Sequence, residues 1–228
     1  MNTSAADTLS QVLEMGQAAH TPASLSVIDL AMKGGWIMIV LLALSLIALY
    51  IFVIKLLEIN SAGKEDSSFM DRIKDYIHEG KIKSAEKLCE DKKTPYSRMI
   101  HKGITRLGRP MNDILVTIEN VGNVEIGKLN NGLPILATIA AGAPMIGFLG
   151  TVTGMVRAFF DMANAGSSVD IALLSNGIYE ALVTTVGGLI VGIITLFAYN
   201  YLVAKLDKVI NKMETKTIEF MDLLNEPV

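Results

Sequence analysis

The stretch of sequence that decides the fold is residues 171–204, which read IALLSNGIYEALVTTVGGLIVGIITLFAYNYLVA. Its 34 residues contain one charged side chain, that of Glu180. A helix rises about 1.5 Å per residue, so about 20 apolar residues are enough to cross the hydrocarbon core of a bilayer. The stretch therefore predicts a membrane-spanning helix that carries a single carboxylate.

Two further uncharged runs predict two further spans. One holds the 21 residues between Lys33 and Lys55, and the other extends over 28 residues from Leu129 to Val156. We therefore predict an all-α membrane protein with three transmembrane helices, at residues 34–56, 130–158 and 176–203. The first run is longer than the core of a signal peptide and no small-residue cleavage pattern follows it, so we expect a retained anchor.

The composition agrees with a membrane protein and excludes several other classes. Hydrophobic residues make up 51% of the 228 residues and charged residues 19%, and the net charge of -3 provides no basic field for nucleic acid. The single cysteine, Cys89, and three dispersed histidines match neither a disulfide framework nor a metal site, and no cofactor is expected. The sequence has no phosphate-binding loop, dinucleotide fingerprint or nucleophile elbow, so it does not predict an enzyme.

The distribution of lysine and arginine predicts the orientation in the membrane. Residues 58–128 carry 13 of them and the tail after Ala204 carries 4, whereas only Lys33 precedes the first span and residues 159–179 contain none. Cytoplasmic loops are enriched in these residues. We therefore expect a periplasmic N-terminal segment at 1–33, a cytoplasmic helical domain at 57–129, a periplasmic loop at 159–175 and a cytoplasmic C-terminal helix at 204–228.

Helical periodicity continues outside the spans. In the central segment, apolar residues recur at spacings of three and four, which predicts a helical bundle. After the third span, the same spacing forms a seam, so the helix is expected to extend into the cytoplasm and pack against helices of its own and neighbouring subunits. The seam residues are Leu202, Leu206, Val209, Met213, Thr217, Phe220 and Leu224. A weak apolar stripe at residues 9–16 is compatible with an outer-surface helix or with a poorly ordered terminus.

Small residues are concentrated in the second and third spans. Two pairs form G-x-x-x-G steps, which let helices approach closely in lipid. Packing between these two helices of one chain explains part of this density, and the excess predicts oligomer contacts. The predicted packing residues are Gly147, Gly150, Gly154, Gly188 and Gly192.

Polar side chains accompany these glycines, and the most informative is Glu180. A carboxylate within a span costs about 2.5 to 3.5 kcal/mol on insertion scales and usually faces a lumen or a partner. Two interpretations stay open: Glu180 belongs to an ion path, or it lies at the outer boundary in contact with water. At about 100° per residue, Thr184 shares its face and Thr185 lies about 140° round the helix, so one hydroxyl can line a lumen while the other serves a helix contact.

Two motifs around these residues resemble the MotA/TolQ/ExbB proton channel family. Residues 143–155, APMIGFLGTVTGM, are similar to its second-helix segment. Residues 177–185, GIYEALVTT, followed by GL at 188–189 and AYN at 198–200, are similar to its third-helix motif. The motifs occur in the family's order and topology. One departure is Ile194, which stands where members often carry a proline, so a kink is not expected there.

The resemblance implies a proton-channel subunit of the cytoplasmic (inner) membrane that converts proton-motive force into work. It implies a homopentamer around a dimer of an ExbD-like or TolR-like single-span partner, whose membrane aspartate carries the proton. By motif, Glu180 corresponds to the family's membrane glutamate, Thr151 to its helix-two threonine and Thr185 to the threonine five residues after the glutamate. Their implied role is to line the pore, and Thr184 joins them because it shares the face of Glu180.

The leading hypothesis is an ExbB-like subunit that drives TonB-dependent transport across the outer membrane through a TonB-like energy transducer. A TolQ-like subunit of the Tol-Pal envelope system, with a TolA-like transducer, is the alternative, because the motifs do not separate the two branches. A passive membrane scaffold is the alternative from a different class. Beyond these partners, only membrane lipid is expected and no nucleic acid.

Overall fold

The structure is a computed structural model that describes residues 34–64, 68–164 and 171–225. Within these ranges the chain forms α-helices and no strand, which confirms the all-α fold. The helices are α1 (Gly35–Ala62), α2 (Phe69–His78), α3 (Ile82–Asp91), α4 (Pro95–Ile104), α5 (Met111–Asn130), α6 (Leu133–Asn164) and α7 (Ile171–Asn225). The apolar stripe at residues 9–16 lies outside the described residues.

Three stretches are long and apolar enough to cross a membrane, which confirms the predicted number of spans. They are α1, the α5–α6 stretch, whose uncharged part lies in α6, and α7. α7 continues without a break through Ile194 and is 55 residues long. It therefore extends beyond residue 203, the end of the predicted span, as the seam indicates. Many apolar side chains of α1 are exposed, among them Trp36, Leu42 and Tyr50, so this helix has a face left for lipid or for a neighbouring subunit.

The closest helix contact lies between α6 and α7. A Cβ atom at Gly147 would lie 2.8 Å from the backbone oxygen of Thr184 and 3.0 Å from the Cα of Gly188. A Cβ at Gly192 would lie 2.5 Å from the ring of Pro144. The intrachain interface accounts for all five glycines predicted to pack helices, because each would bring a Cβ within 3.1 Å of the opposite helix: Gly147, Gly150, Gly154, Gly188 and Gly192.

Beyond the spans, α2, α4 and α5 pack against the C-terminal half of α7, and α3 packs against α2 and α4. Their shared core includes the fully buried Phe69, Ile100 and Phe220, and the ring of Tyr96 meets that of Phe69 edge-on at 5.3 Å. The predicted seam is the buried face of α7 at six of its seven positions. The exception is the last position, where Leu223 is buried and Leu224 is only half-buried.

A two-residue break at Asn131 and Gly132 separates α5 from α6. Gly132 adopts a φ of +91°, a left-handed conformation that favours glycine. Lys55 of α1 lies at this break, where its Nζ donates a hydrogen bond to Glu58 at 2.6 Å and to the backbone oxygen of Lys128 at 3.4 Å. The break therefore separates the charged helical region from the uncharged part of α6, and the site described next lies at the other end of α6.

Candidate functional site

The three spanning helices surround a cavity of about 280 Å³ at the end where α1 begins and α6 ends. Each helix contributes to its wall. The start of α1 contributes Gly34, Trp36 and Ile37; α6 contributes Gly150, Thr153, Gly154, Arg157, Ala158 and Asp161; α7 contributes Asn176, Gly177, Glu180 and Thr184. The cavity therefore has a mixed lining, in which charged and polar side chains lie among apolar residues and glycines.

Glu180 faces this cavity from α7 and is half-buried. Its carboxylate lies against the first residue of α1, since a Cβ on Gly35 would collide with Oε1 of Glu180. Gly35 itself has a φ of +62°, so the chain enters α1 in a conformation that favours glycine. Glu180 therefore lies beside the first turn of α1 and lines the cavity between the three spanning helices.

Sequence reasoning missed two charged residues of the same cavity, Arg157 and Asp161. They lie four residues apart on α6, so they share one face of the helix, and both line the cavity with Glu180. Residue 157 falls within the predicted span 130–158, so Arg157 was not counted among the basic residues on either side of the membrane. A sequence signal for them exists: an arginine and an aspartate stand four residues apart at the end of an uncharged run, where ionisable residues often have a function.

Thr184 lies one helical turn from Glu180 at the base of the cavity, and it is buried. Its hydroxyl donates to the backbone oxygen of Ala181 at 2.7 Å, and it also lies 3.3 Å from the backbone oxygen of Gly147 on α6. The cavity therefore ends at a hydroxyl that already has acceptors on both helices.

Thr151 and Thr185 form a pair next to Thr184, inside the α6–α7 interface. Their hydroxyl oxygens are in hydrogen-bond contact. The hydroxyl of Thr151 also lies 3.0 Å from the backbone oxygen of Ala181, and that of Thr185 lies 3.2 Å from the backbone oxygen of Gly147. Two hydroxyl protons face three acceptor contacts, so the pair has more than one arrangement of donors.

The structure thus brings the four predicted site residues into one stretch of the α6–α7 interface. Glu180 and Thr184 line the cavity, whereas Thr151 and Thr185 lie behind it. Glu180 and Thr185 are about 7.5 Å apart along the axis of α7, from the rise of 1.5 Å per residue. Chemically, the arrangement offers a carboxylate that can gain and lose a proton, followed by hydroxyls that can both donate and accept.

The fold and this site together define a multi-pass α-helical membrane protein with an ionisable group between its helices. Comparison with known proteins gives the family. A sequence model of the MotA/TolQ/ExbB proton channel family matches residues 91–215, which include the cavity residues of α6 and α7. The chain belongs to this family.

Individual relatives carry the names of two branches. The chain is 35% identical over 120 residues to a Methanothermobacter thermautotrophicus protein named as an ExbB homologue. This alignment covers 53% of this chain and 42% of that protein. It is 37% identical over 100 residues to the Tol-Pal system protein TolQ of Haemophilus influenzae, or 44% of this chain and 42% of TolQ. It is 27% identical over 177 residues to the biopolymer transport protein ExbB of Neisseria meningitidis, or 73% of this chain and 80% of ExbB. The chain spans less than half the length of several of the curated relatives that it matches.

Proposed function

We propose that the chain is a proton-channel subunit that couples proton-motive force to mechanical work, with Glu180 as the group that takes up and releases the proton. The observation that carries the proposal is the position of this carboxylate in a cavity lined by all three spanning helices. A proton that crosses 100 mV releases about 2.3 kcal/mol, so a few protons can drive a rearrangement of packed helices.

The contacts around Glu180 support a polar path into the α6–α7 interface. The cavity extends from Glu180 to the hydroxyl of Thr184. Beside Thr184, Thr151 and Thr185 form a hydrogen-bonded pair, and all three hydroxyls share two backbone acceptors, the oxygens of Ala181 and Gly147. Because each hydroxyl can exchange its donor and acceptor roles, this group can reorient when the charge on Glu180 changes. Membership of a proton channel family supports the same assignment.

The proposed location is the inner membrane, with the N-terminus in the periplasm and the C-terminus in the cytoplasm. The basic residues of α2 to α5 and of the C-terminal half of α7 support this orientation under the positive-inside rule. It places the cavity at the periplasmic end of the spans, where the proton concentration is higher when the membrane is energised. Protons would then enter at Glu180 and leave towards the cytoplasm.

The proposed partners follow from the family. We propose that several copies of the chain, a pentamer by resemblance, surround an ExbD-like or TolR-like single-span protein whose membrane aspartate meets the proton. An ExbB-like role in TonB-dependent transport is the first candidate, because an ExbB aligns over 73% of this chain. A TolQ-like role in the Tol-Pal system is the second, because a TolQ aligns at a higher identity over a shorter range.

The decisive variant is Glu180→Gln, which keeps the size and polarity of the side chain and removes its ability to ionise. The matched control is Glu214→Gln, a substitution on the exposed surface of the same helix, far from the cavity. In cells that lack the chromosomal copy, Glu180→Gln should abolish energy-dependent transport or envelope integrity while Glu214→Gln preserves both. Proton uptake into membrane vesicles should show the same difference.

Two outcomes would redirect the assignment. If Glu180→Gln supported growth and proton uptake as well as the control, the passive scaffold would be the better interpretation. If it abolished function, growth on limiting iron and sensitivity to detergents would separate the branches. A defect confined to iron uptake favours the TonB-dependent role, and one confined to detergent resistance favours the Tol-Pal role.

A further inference from the structure

We propose that Arg157 is a selectivity residue of the cavity, which opposes the binding of sodium and potassium ions near Glu180 and leaves the proton as the ion that this carboxylate accepts. The inference rests on the proposed function, because it assigns a specificity to the Glu180 site. Arg157 lies outside the two sequence motifs, and it is not one of the three threonines next to the cavity.

The position of Arg157 is the first step of the argument. Arg157 and Asp161 line the cavity from α6, Glu180 lines it from α7, and the side chain of Arg157 is exposed in this chain. A guanidinium keeps its charge at every physiological pH. Among the described residues, neither carboxylate of this cavity lies within ion-pair distance of Arg157. Its positive charge therefore acts on both carboxylates without a direct ion pair to either.

The other polar groups of the cavity are the second step. The residues that line it include five with side-chain oxygen atoms: Asp161, Glu180, Thr153, Thr184 and Asn176. A metal cation that leaves water has to exchange its hydration shell for several oxygen ligands at once, and carboxylates, hydroxyls and amides are suitable ligands. Without Arg157 this set would carry two negative charges and would suit a small monovalent cation.

The charge balance is the third step. With Arg157 present, the two carboxylates and the guanidinium sum to one negative charge, which a single proton neutralises on one oxygen atom. A metal cation would bring the same charge, but it would have to share the space and the oxygen ligands with the guanidinium. A unit charge in a cavity of this size changes the local concentration of a monovalent cation by about tenfold or more.

The test uses the full-length chain in membrane vesicles and the reagent dicyclohexylcarbodiimide, which reacts with protonated carboxyl groups in apolar surroundings. Modification of Glu180 is followed by mass spectrometry in sodium chloride and in choline chloride of equal ionic strength. In the wild type, labelling should be the same in both salts. In Arg157→Gln and Arg157→Met, sodium should slow the labelling by about tenfold relative to choline, because the cation now competes with the proton.

Two controls separate charge from structure. Arg157→Lys keeps the positive charge and should behave like the wild type. Lys208→Gln removes an exposed positive charge from α7 outside the cavity and should also leave labelling independent of sodium. The two neutral variants differ in chemistry, so a sodium effect that they share does not depend on one particular side chain.

The outcomes distinguish this inference from the proposed function. Labelling of Glu180 that stays independent of sodium in both neutral variants would overturn the role of Arg157 and leave the proton site standing. Protection of the wild type by sodium would overturn it as well. If Glu180 were not labelled in the wild type under any salt, the carboxyl would not take up a proton from the cavity. The proposed function would then fail, together with the inference that rests on it.

Discussion

The contact between α6 and α7 leads to a quantitative prediction for Gly147→Ala. A Cβ at this position would lie 2.8 Å from the backbone oxygen of Thr184, 3.0 Å from the Cα of Gly188 and 3.2 Å from the Cα of Thr185. These are backbone atoms of a continuous helix, so no side chain can rotate away to make room. The two helices have to separate by several tenths of an ångström.

The magnitude follows from two opposing effects. Overpacking a tight interface destabilises a protein by about 1 to 3 kcal/mol. Replacing glycine by alanine within a helix is itself stabilising, by about 0.5 to 1 kcal/mol. Gly142→Ala on the same helix isolates the first effect, because a Cβ there would meet no other helix within 4 Å among the described residues and the helix-propensity gain is shared. Gly147→Ala should therefore be less stable than Gly142→Ala by about 1 to 3 kcal/mol.

The assay is unfolding of the purified chain in mixed micelles, followed by circular dichroism during titration with a denaturing detergent. The separation of α6 from α7 also stretches the contacts of Thr151 and Thr185, so proton uptake should fall in Gly147→Ala and not in Gly142→Ala. Equal unfolding free energies for the two variants would refute the reasoning, because they would mean that the interface is not as closely packed as the distances indicate.

Two further variants test the ends of the molecule. Gly35→Ala and Gly80→Ala both place a side chain at a positive φ, +62° and +69°, and should each lose about 1 to 2 kcal/mol of stability. Only Gly35→Ala should also lose proton uptake, because its Cβ collides with Glu180, whereas a Cβ on Gly80 would meet no atom within 4 Å in the part of the chain that the structure describes. Equal uptake in both variants would argue against a role for that contact. Burial, together with the neighbouring acidic side chains of α3, raises the pKa of the Cys89 thiol to about 12, so at pH 8 iodoacetamide should modify it only in the unfolded chain. Rapid alkylation of the native protein would contradict this.

The spans and the seam of α7 were predictable because they depend on local patterns. An uncharged run of more than 20 residues has few alternatives to a membrane helix. The seam from Leu202 to Phe220 repeats at the spacing of a helix face, and the structure buries that face. At its last position the packing is shared, because Leu223 is buried and Leu224 is half-buried against the same core.

The arrangement of the threonines was less predictable. The angle of about 140° between Glu180 and Thr185 suggested separate surroundings for Thr184 and Thr185. In the structure, both hydroxyls lie within 3.3 Å of the backbone oxygen of Gly147. The reason is the close approach of the two helices that Gly147 permits. Because Gly147 has no side chain, its backbone oxygen is accessible to side chains from two neighbouring positions on α7.

The cavity itself was not predictable from the sequence. It depends on the entry of α1 at Gly34 and Gly35 against α7, which brings together residues about 145 positions apart in the chain, a separation that no local pattern records. The same limit applies to Arg157, whose neighbours in the sequence are apolar while its neighbours across the cavity are polar.

The length of α7 links the site to the rest of the molecule. The helix is continuous from Ile171 to Asn225, so Glu180 and the buried Phe220 lie on the same helix. They are about 60 Å apart along its axis at 1.5 Å per residue. α7 contacts α1 and α6 within the spans and α2, α4 and α5 beyond them. A change of charge at Glu180 that shifts α7 against α6 would therefore also shift the surface on which those helices pack. Because closely packed helices move in small discrete steps, the proposed proton uptake at one end of α7 has a physical route to a rearrangement at the other.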